Sequence, residues 1–465
     1  MCGICGFTGE GDVHTLDAMM AAMVYRGPDG SGRWSNDRGI YFGHKRLSIV
    51  DPDGGQQPMV TDDGHLILAF NGEIYNHVDL RRKLEGYGYR FNSSHADTEV
   101  VLHGYHRWGP DLVHHLNGMW AFAIFDQRNG TLFLSRDRFG KKPLFFAQER
   151  NSFIFSSELA SLQKHPSVNS SLDRDALFSY FAHGYIPAPK SILTGVQKLP
   201  AGYNLTYDLT SGRTELQRYW RYKPEPDLKW LTHEDELAEA LASELLESIR
   251  LRLIADVPVG VFLSGGIDSS SIAALAMNAE LGQNVETYSI GFEDKSFDES
   301  PYSNDMARLL GSDHHFRQLT KTDCIDALER IYPLLDEPMA DSSLIPTFLL
   351  CEMARERVSV GLGGDGADEA WSLPHRSTIG DGPRWTCSRW LLWGSLSAST
   401  FRCDCVSRLS RSVRTRSILS RSVRTRMPHA RYSAGGQMMP SVLHTASPSR
   451  ISRSLPLVCP APGPA

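Results

Sequence analysis

The first 210 residues alternate hydrophobic and polar positions in short runs that end at Gly, Asn or Asp. The clearest of these runs read GHLILAFNGEIYN, MWAFAIFD, TLFLSRDRFG and SFIFSSE. Successive side chains of a β-strand face opposite sides of its sheet, so these runs predict strands. Between them, Asp97–Trp108 has a helical pattern. We therefore expect strands packed under helices in this region, with antiparallel pairing of the strands.

The pattern changes after Tyr219–Trp230, a segment with two prolines and several charges that we interpret as part of a linker. Leucine or isoleucine then recurs every fourth residue from Leu237 to Leu253, which predicts an amphipathic helix. Beyond it, short apolar runs that end in glycine alternate with helical segments, as in VPVGVFLSGG, VETYSIGF and VSVGLGG. Strands that alternate with helices favour a parallel α/β sheet.

Composition changes abruptly at residue 371. Residues 371–465 contain 14 Arg, 18 Ser, two Asp and neither Lys nor Glu, so they carry +12 while the first 370 residues carry −18. The seven residues SRSVRTR occur twice there, at Ser410–Arg416 and at Ser420–Arg426. We interpret 371–465 as an aberrant, frame-shifted end that is expected to be disordered. A basic tail that binds nucleic acid or acidic surfaces is the alternative.

The remaining composition is typical of a globular protein with two or three domains. Hydrophobic residues make up 41% of the chain and charged residues 22%. No stretch approaches the roughly 20 apolar residues of a membrane span, and no secretory signal is evident. Eight cysteines in 465 residues form no dense disulfide framework. We expect a reduced, cytoplasmic protein with no membrane and no nucleic-acid partner.

The most explicit chemistry lies in Val257–Ala276, where an apolar strand meets Ser264, Gly265 and Gly266 and a helix follows. Two glycines let backbone amides approach an anion, and a helix N-terminus adds unpaired N–H groups and a positive dipole end. The hydroxyls of Ser264 and Ser269 are further donors. The turn therefore suits a pyrophosphate group, although it matches neither the Walker nor the G-x-G-x-x-G pattern.

Asp268 in that turn would repel a phosphate unless Mg²⁺ lay between them; the alternative is that Asp268 only caps the helix. A second acidic cluster, Asp365, Asp368 and Glu369, follows the last apolar strand. The ends of neighbouring parallel strands meet at one edge of a sheet, where ligands bind in such folds. This convergence favours a metal and nucleotide site over a simple cap.

Ten ordered motifs within residues 2–370 resemble those of the glutamine-hydrolysing asparagine synthetases. They read RGPDG, GHKRLSIVD, FNGEIYN, DTEV, SRDRFGKKPLFF, LPAG, SGGIDSS, FDES, DEPMADSSLIPT and GGDGADE. The resemblance implies an α+β first domain at 2–210, which is an αββα sandwich of the N-terminal-nucleophile hydrolase type with glutamine amidotransferase activity. It further implies a linker at 211–234 and a truncated α/β domain at 235–370, with a Rossmann-like parallel sheet of the PP-loop type.

For the first domain, the resemblance makes Cys2 the nucleophile once Met1 has been removed. The α-amine of Cys2, whose ordinary pKa is about 7.7–8.0, could then take the thiol proton. The thiolate could attack the carboxamide of glutamine and release ammonia from a thioester. The resemblance offers the Asn71 side chain and the Gly72 N–H as donors to the oxyanion. An inert terminal thiol is the alternative for Cys2.

The residues that the resemblance implies for glutamine binding are Arg46, Asn71, Gly72, Glu73 and Asp97. Arginine grips a carboxylate with two hydrogen bonds, and the two acids suit the α-ammonium group. Two alternatives stay open, an ion pair between Arg46 and Asp51 and a role of Asp97 in starting the following helix. Cys5 is expected to be an ordinary buried cysteine.

For the second domain, the resemblance implies that MgATP adenylates the β-carboxylate of aspartate and that ammonia then displaces AMP. The residues implied to bind ATP are Leu263, Ser264, Gly265, Gly266, Asp268, Ser269, Ile290, Gly363 and Gly364. The implied Mg²⁺ ligands are Asp268 and Asp368. Asp365 stands where the family more often has a glutamate that helps the intermediate react, and Gly363 stands where serine is common. The partners implied are glutamine, aspartate and ATP, and a homodimer is left open.

The resemblance ends at Ala370, whereas the family continues with further helices and with lysines that neutralise the polyphosphate. We therefore expect glutamine hydrolysis with weak or absent asparagine synthesis. The segment ADSS at 340–343 either faces the acceptor or only starts a helix, so it does not fix which carboxylate is the acceptor. One alternative is therefore an amidotransferase for another carboxylate. The other alternative is a residual glutaminase or a non-catalytic remnant.

Overall fold

Two antiparallel sheets form the first half of the protein, in a computed structural model that describes residues 1–149, 152–223, 233–279, 285–365 and 458–459. The strands of the first sheet are β1 (Gly3–Thr8), β2 (Gly30–Asn36), β3 (Ile40–Arg46), β8 (Phe145–Glu149), β9 (Ser152–Ser156) and β10 (Val196–Lys198). Their spatial order is β10-β8-β9-β1-β3-β2. The N-terminal strand is therefore central, which places Cys2 beside the core.

The strands of the second sheet are β4 (Met59–Val60), β5 (Leu66–Ile74), β6 (Gly118–Asp126), β7 (Thr131–Arg136), β11 (Tyr203–Asp208) and β12 (Thr214–Arg218). Their spatial order is β12-β11-β7-β6-β5-β4. The four alternating runs of the sequence lie in β5, β6, β7 and β9, as predicted.

The two sheets pack face to face and carry helices on their outer faces. The interior cluster joins apolar side chains of both sheets, such as Phe42 and Phe155 from the first and Ala121 and Leu134 from the second. Helices α1 (Val13–Ala21), α4 (Leu159–Leu162) and α5 (Arg174–His183) cover the first sheet, and α2 (His77–Gly86) and α3 (Asp97–Trp108) cover the second. The predicted αββα sandwich is confirmed, and α3 has the bounds that its pattern predicts.

A five-stranded sheet forms the second half. Its strands are β13 (Val259–Phe262), β14 (Glu286–Phe292), β15 (Asp313–Leu319), β16 (Val360–Leu362) and β17 (Val458–Cys459), in the order β15-β14-β13-β16-β17. The first four are parallel, and β17 is antiparallel to β16. The helices are α6 (Glu234–Arg252), α7 (Ile267–Asn278), α8 (Ser300–Leu310), α9 (Lys321–Ile331) and α10 (Leu344–Arg355). The predicted parallel α/β sheet is therefore confirmed.

Three local features differ from the sequence-based expectation. The expected linker, 211–234, contains β12, which pairs with β11, so the second sheet extends into its first half. Helix α6 ends at Arg252, and Leu253 follows as its C-terminal cap. Of the tail expected to be disordered, 371–465, the structure describes only β17, and the rest lies outside the described residues.

Within the described part of the chain, the structure has no helix with the length and apolar content of a membrane span.

The two domains share an interface next to the predicted glutamine site. The carboxylate of Asp256, from the second domain, accepts a hydrogen bond from the Asp51 N–H at 2.7 Å and lies 2.6 Å from His95 Nε2. Tyr75 and Met119, from the first domain, join the apolar cluster formed by α6, α7, α8 and β13. The first domain is thus packed directly against the second.

Candidate active sites

One cavity in the first domain collects the residues that the sequence assigns to glutamine. Its lining includes Cys2, Arg46, Asn71, Gly72, Glu73 and Asp97. They come from the residue before β1, the end of β3, the edge of β5 and the first turn of α3. The sandwich therefore brings together all six residues predicted for this half.

The thiol of Cys2 lies beside the chain segment that follows β3. Its Sγ accepts a hydrogen bond from the Leu47 N–H at 3.4 Å and lies 3.6 Å from the Leu47 carbonyl oxygen. Its own carbonyl accepts a hydrogen bond from Arg26 Nε at 2.9 Å. Met1 lines the same cavity, so its removal would leave the α-amine of Cys2 there. Cys5, by contrast, is fully buried, as expected, and burial raises the pKa of its thiol.

The edge of β5 that faces away from β6 directs backbone donors into the cavity. The N–H of Phe70 donates to Gln57 Oε1 at 2.7 Å, and the N–H of Ile74 donates to Asp97 Oδ2 at 3.0 Å. Alternate N–H groups point to the same side of a strand, so the N–H of Gly72 lies on this edge between them. A Cβ at position 72 would lie 2.3 Å from a carbonyl oxygen of β6, so only glycine fits.

Asn71 contributes a buried side-chain donor to the same cavity. The residue is 1% exposed, and its Nδ2 has no hydrogen-bond partner among the described residues. Buried polar groups in folded proteins are nearly always hydrogen-bonded, because an unpaired one costs free energy. An unpartnered amide that lines a cavity is therefore suited to an acceptor on a bound molecule.

The guanidinium group of Arg46 is buried at the end of β3 and held by backbone carbonyls. Its Nη1 donates to the Pro52 oxygen at 2.5 Å, and its Nη2 donates to the Asp51 oxygen at 2.6 Å. The Asp51 carboxylate instead accepts from the N–H groups of Gly54 at 2.9 Å and His95 at 3.0 Å. The alternative of an ion pair between Arg46 and Asp51 is therefore wrong. Among the described residues Arg46 has no ion-pair partner, so its charge is available to a carboxylate.

Glu73 and Asp97 supply the opposite charge. Burial, with a further contribution from the negative charge of Asp97, raises the pKa of Glu73 to about 8. Burial also raises the pKa of Asp97, against the hydrogen bond from Ile74. Asp97 is the first residue of α3 and also lines the cavity, so the helix-start interpretation is confirmed and its role in glutamine binding stays a prediction. A cation between these two acids would favour their ionised forms.

Several cavity residues were not assigned from the sequence. They include Gln57, Thr98, Met119 and Lys142. Burial, assisted by the positive charge of Arg26, lowers the pKa of Lys142 to about 8. Lys142 belongs to the motif SRDRFGKKPLFF, so the motif marked its position, but nothing in the pattern indicates that its ammonium group turns inward.

A glycine and serine turn joins β13 to α7 in the second domain. Gly265 has φ +85°, a conformation that favours glycine, and a Cβ there would lie 2.6 Å from the backbone of Tyr302. The Ser264 N–H donates to Ser269 Oγ at 3.2 Å, and the Gly266 N–H donates to Ser264 Oγ at 3.3 Å. Ser264 and Gly266 are exposed, so the N-terminus of the 12-residue α7 is open to an anion.

Asp268 is the second residue of α7 and does not cap the helix. The N-cap is Gly266, so Asp268 does not occupy the capping position. The alternative of a simple cap is therefore wrong. Asp365 is exposed at the end of the described chain, and Gly363 is buried. Asp368 lies outside the described residues, so its pairing with Asp268 as a metal site stays a prediction.

The carboxyl ends of three parallel strands meet at this turn. Leu263 directly follows β13, and its N–H donates to the Tyr288 oxygen of β14 at 2.9 Å; Ile290 lies further along β14. A Cβ on Gly364, after β16, would lie 3.1 Å from the Ser269 nitrogen, so the end of β16 contacts the turn. The residues predicted to bind ATP therefore share one edge of the sheet.

The segment ADSS precedes α10, which begins at Leu344. Asp341 Oδ1 accepts a hydrogen bond from the Ser343 N–H at 2.8 Å. The segment therefore does start a helix, which leaves its relation to the acceptor open.

Fold and sites together define a class of protein, in which a glutamine amidotransferase domain precedes a nucleotide-binding α/β domain. The family described as glutamine amidotransferase domain matches residues 1–220, and the family described as asparagine synthase matches residues 240–437. The second match extends beyond residue 370, where the recognisable motifs end.

Curated relatives identify the family. A Methanocaldococcus jannaschii protein provisionally named glutamine-hydrolysing asparagine synthetase 2 is 37% identical over 397 residues, which cover 80% of this chain and 75% of that protein. Glutamine-hydrolysing asparagine synthetases 3 and 1 of Bacillus subtilis are 36% and 34% identical, with 79% of this chain covered and 62% and 58% of theirs. The chain belongs to the glutamine-hydrolysing asparagine synthetase family, a family of ligases, and spans about six tenths of the two Bacillus proteins.

Proposed function

We propose that this protein forms an amide by hydrolysing glutamine at Cys2 and transferring the ammonia to an adenylated carboxylate, with aspartate as the acceptor and asparagine as the product. The carrying observation is the buried, unpartnered Nδ2 of Asn71 in the cavity that Cys2 lines. Such a donor, placed in the cavity beside Cys2, is suited to stabilise a tetrahedral oxyanion.

In the glutaminase half, loss of Met1 frees the amine of Cys2 to accept the thiol proton. The thiolate attacks the carboxamide carbon of glutamine, and the amide π electrons move to the oxygen. Asn71 Nδ2 and the Gly72 N–H stabilise that oxyanion until the C–N bond breaks, the amine returns the proton, and ammonia leaves. Water then hydrolyses the thioester to glutamate.

Glutamine is oriented by charge. Arg46 has no carboxylate partner among the described residues and is held by backbone carbonyl oxygens, so it suits the α-carboxylate, and Glu73 and Asp97 suit the α-ammonium group. The two acids are buried, so they gain most from a bound cation.

An apolar connection between the two sites supports the transfer of ammonia. Met119 and Ile49 line the glutamine cavity and also belong to the cluster that contains Leu263, next to the nucleotide turn. Neutral ammonia loses little hydration on entering apolar surroundings, whereas ammonium pays a large desolvation cost. The cluster therefore favours passage of the neutral species.

In the synthetase half, the open turn at Ser264–Ser269 fits the polyphosphate of ATP, because its glycines admit close backbone approach and its helix N-terminus attracts anions. Asp268 would hold Mg²⁺, together with Asp368, and the ion would neutralise the phosphates. Attack of the acceptor carboxylate on the α-phosphate releases pyrophosphate, and ammonia then displaces AMP. Asp365 is proposed to assist that second step.

The test is purified protein with amide-labelled ¹⁵N-glutamine, aspartate and MgATP, in which glutamate, AMP and labelled asparagine are measured separately. Cys2→Ala is the matched control, and ammonium chloride replaces glutamine in a second arm. We expect glutamate in excess of asparagine, because the motifs that resemble those of the family end at Ala370. Absence of glutamate, or glutamate that survives Cys2→Ala, would contradict the proposal. AMP release with other carboxylates but not aspartate would reassign the acceptor.

A further inference from the structure

Two adjacent acids of the second domain insert into the first domain. Asp336 accepts hydrogen bonds from the N–H groups of Leu159 at 2.7 Å and Ala160 at 2.9 Å, which lie 177 and 176 residues away in the sequence. Its neighbour Glu337 accepts from the Ile192 N–H at 2.8 Å and forms an ion pair with Lys198. Asp336 and Glu337 thus form a clip between the domains, in which each carboxylate binds a separate segment of the first domain.

The Asp336 side of the clip leads to the nucleophile. The Leu159 N–H that donates to Asp336 belongs to the residue directly after Glu158, so the carboxyl group of Asp336 is anchored to the backbone next to Glu158. Glu158 forms a buried ion pair with Arg26 and accepts the hydroxyl hydrogen of Tyr25. Arg26 Nε in turn donates to the carbonyl oxygen of Cys2 at 2.9 Å. A continuous polar chain therefore connects a residue of the second domain to the backbone of Cys2.

The ion pair between Glu158 and Arg26 is sensitive to the protonation state of Asp336. Tyr25 and Arg26 face the carboxyl groups of Glu158 and Asp336, so one cation balances two acids. Burial, followed by the negative charge of Glu158, raises the pKa of Asp336 to about 7. A protonated Asp336 can donate to Glu158 and leave it paired with Arg26. An ionised Asp336 repels Glu158 and weakens the contact.

We infer that Asp336 is a positioning residue for Cys2, acting through Glu158 and Arg26, so that the nucleophile of the first domain is fully oriented only when the second domain is docked. This inference rests on the proposed glutaminase function of Cys2. It predicts that Asp336 affects the turnover of bound glutamine and does not affect the contacts of Arg46 with the substrate.

The test compares Asp336→Ala, Asp336→Asn and Glu337→Gln in the full-length protein. Glu337→Gln is the matched control, because it weakens the same clip at Lys198 without touching the chain to Cys2. We expect Asp336→Ala to lower kcat for glutamine hydrolysis about tenfold or more below pH 7 with little change in KM, the size of effect usual for a group that orients a reacting one. Asp336→Asn is neutral and can still donate to Glu158, but its single oxygen can accept from only one of the two N–H groups of Leu159 and Ala160, so it should lower kcat less than Asp336→Ala does.

The pH profile separates positioning from simple docking. The ratio of kcat of Asp336→Asn to kcat of the wild type should rise between pH 6 and pH 8, while the ratio for Glu337→Gln stays flat. Equal losses in Asp336→Ala and Glu337→Gln, or a flat ratio for Asp336→Asn, would overturn the inference.

A second readout is independent of turnover. The rate at which iodoacetamide alkylates Cys2, measured by mass spectrometry, should change in Asp336→Ala and not in Glu337→Gln. If the wild type hydrolyses no glutamine, the proposed function fails, and the alkylation rates still decide the inference. If Asp336→Ala does not fold, the alkylation rate of Asp336→Asn between pH 6 and pH 8 gives the same decision.

Discussion

Replacement of Asn71 by alanine should remove most glutamine turnover without destabilising the protein. The side chain supplies one of two proposed oxyanion donors, and loss of one such donor costs about 2.7–4 kcal/mol of transition-state stabilisation, or about a hundredfold to a thousandfold in kcat. KM should change little, because the oxyanion does not exist in bound glutamine. Since Nδ2 has no partner among the described residues, its deletion breaks no hydrogen bond of the resting protein. The melting temperature should therefore hold steady or rise.

Steady-state glutamate release and thermal unfolding, measured on the same preparations, test this expectation. Asn204→Ala is the control, because Asn204 is another buried asparagine with an unpartnered side-chain atom, its Oδ1, and lies on β11, outside the cavity lining. A loss of activity that follows a loss of stability, or a rise in KM at constant kcat, would refute the reasoning. Retention of wild-type kcat would refute it outright.

Three further outcomes are expected. The KM for glutamine should fall as pH rises toward 8, by up to about tenfold per pH unit. The reason is that the ammonium group of glutamine binds ionised Glu73, and the pKa of that acid is raised to about 8 in the free protein. Glu73→Gln should flatten this KM profile, and an unchanged slope would contradict the assignment. Met119→Trp should lower transfer of ¹⁵N from glutamine more than it lowers glutamate release or ammonium-dependent AMP release, whereas an unchanged ratio of transfer to glutamate release would exclude this route. Gly265→Ala should destabilise the protein by about 1–3 kcal/mol in chemical denaturation and weaken ATP binding in calorimetry, since φ is +85° and a Cβ would meet the Tyr302 backbone. Gly64→Ala, at φ +72° in open space, controls for the backbone strain alone, and equal loss of ATP affinity there would argue against a special role of the turn.

Local sequence patterns were sufficient to predict the helices and strands and much of the candidate site. The bounds of α3 and the positions of β5, β6 and β13 follow from hydrophobic periodicity, because that periodicity reflects which face of one element is buried. The order of short motifs was sufficient to group Cys2 and Asn71, which the sandwich places in one cavity.

Tertiary packing decided the rest. That Lys142 points into the cavity of Cys2 and that Asp336 binds the backbone of Leu159 both depend on segments far apart in the chain. The amino-acid sequence by itself determined which chemical groups this protein carries and which local elements present them. Only the folded structure determined which groups lose water together and meet, because burial and long-range pairing are properties of the whole packed chain and leave no periodic trace in any one segment.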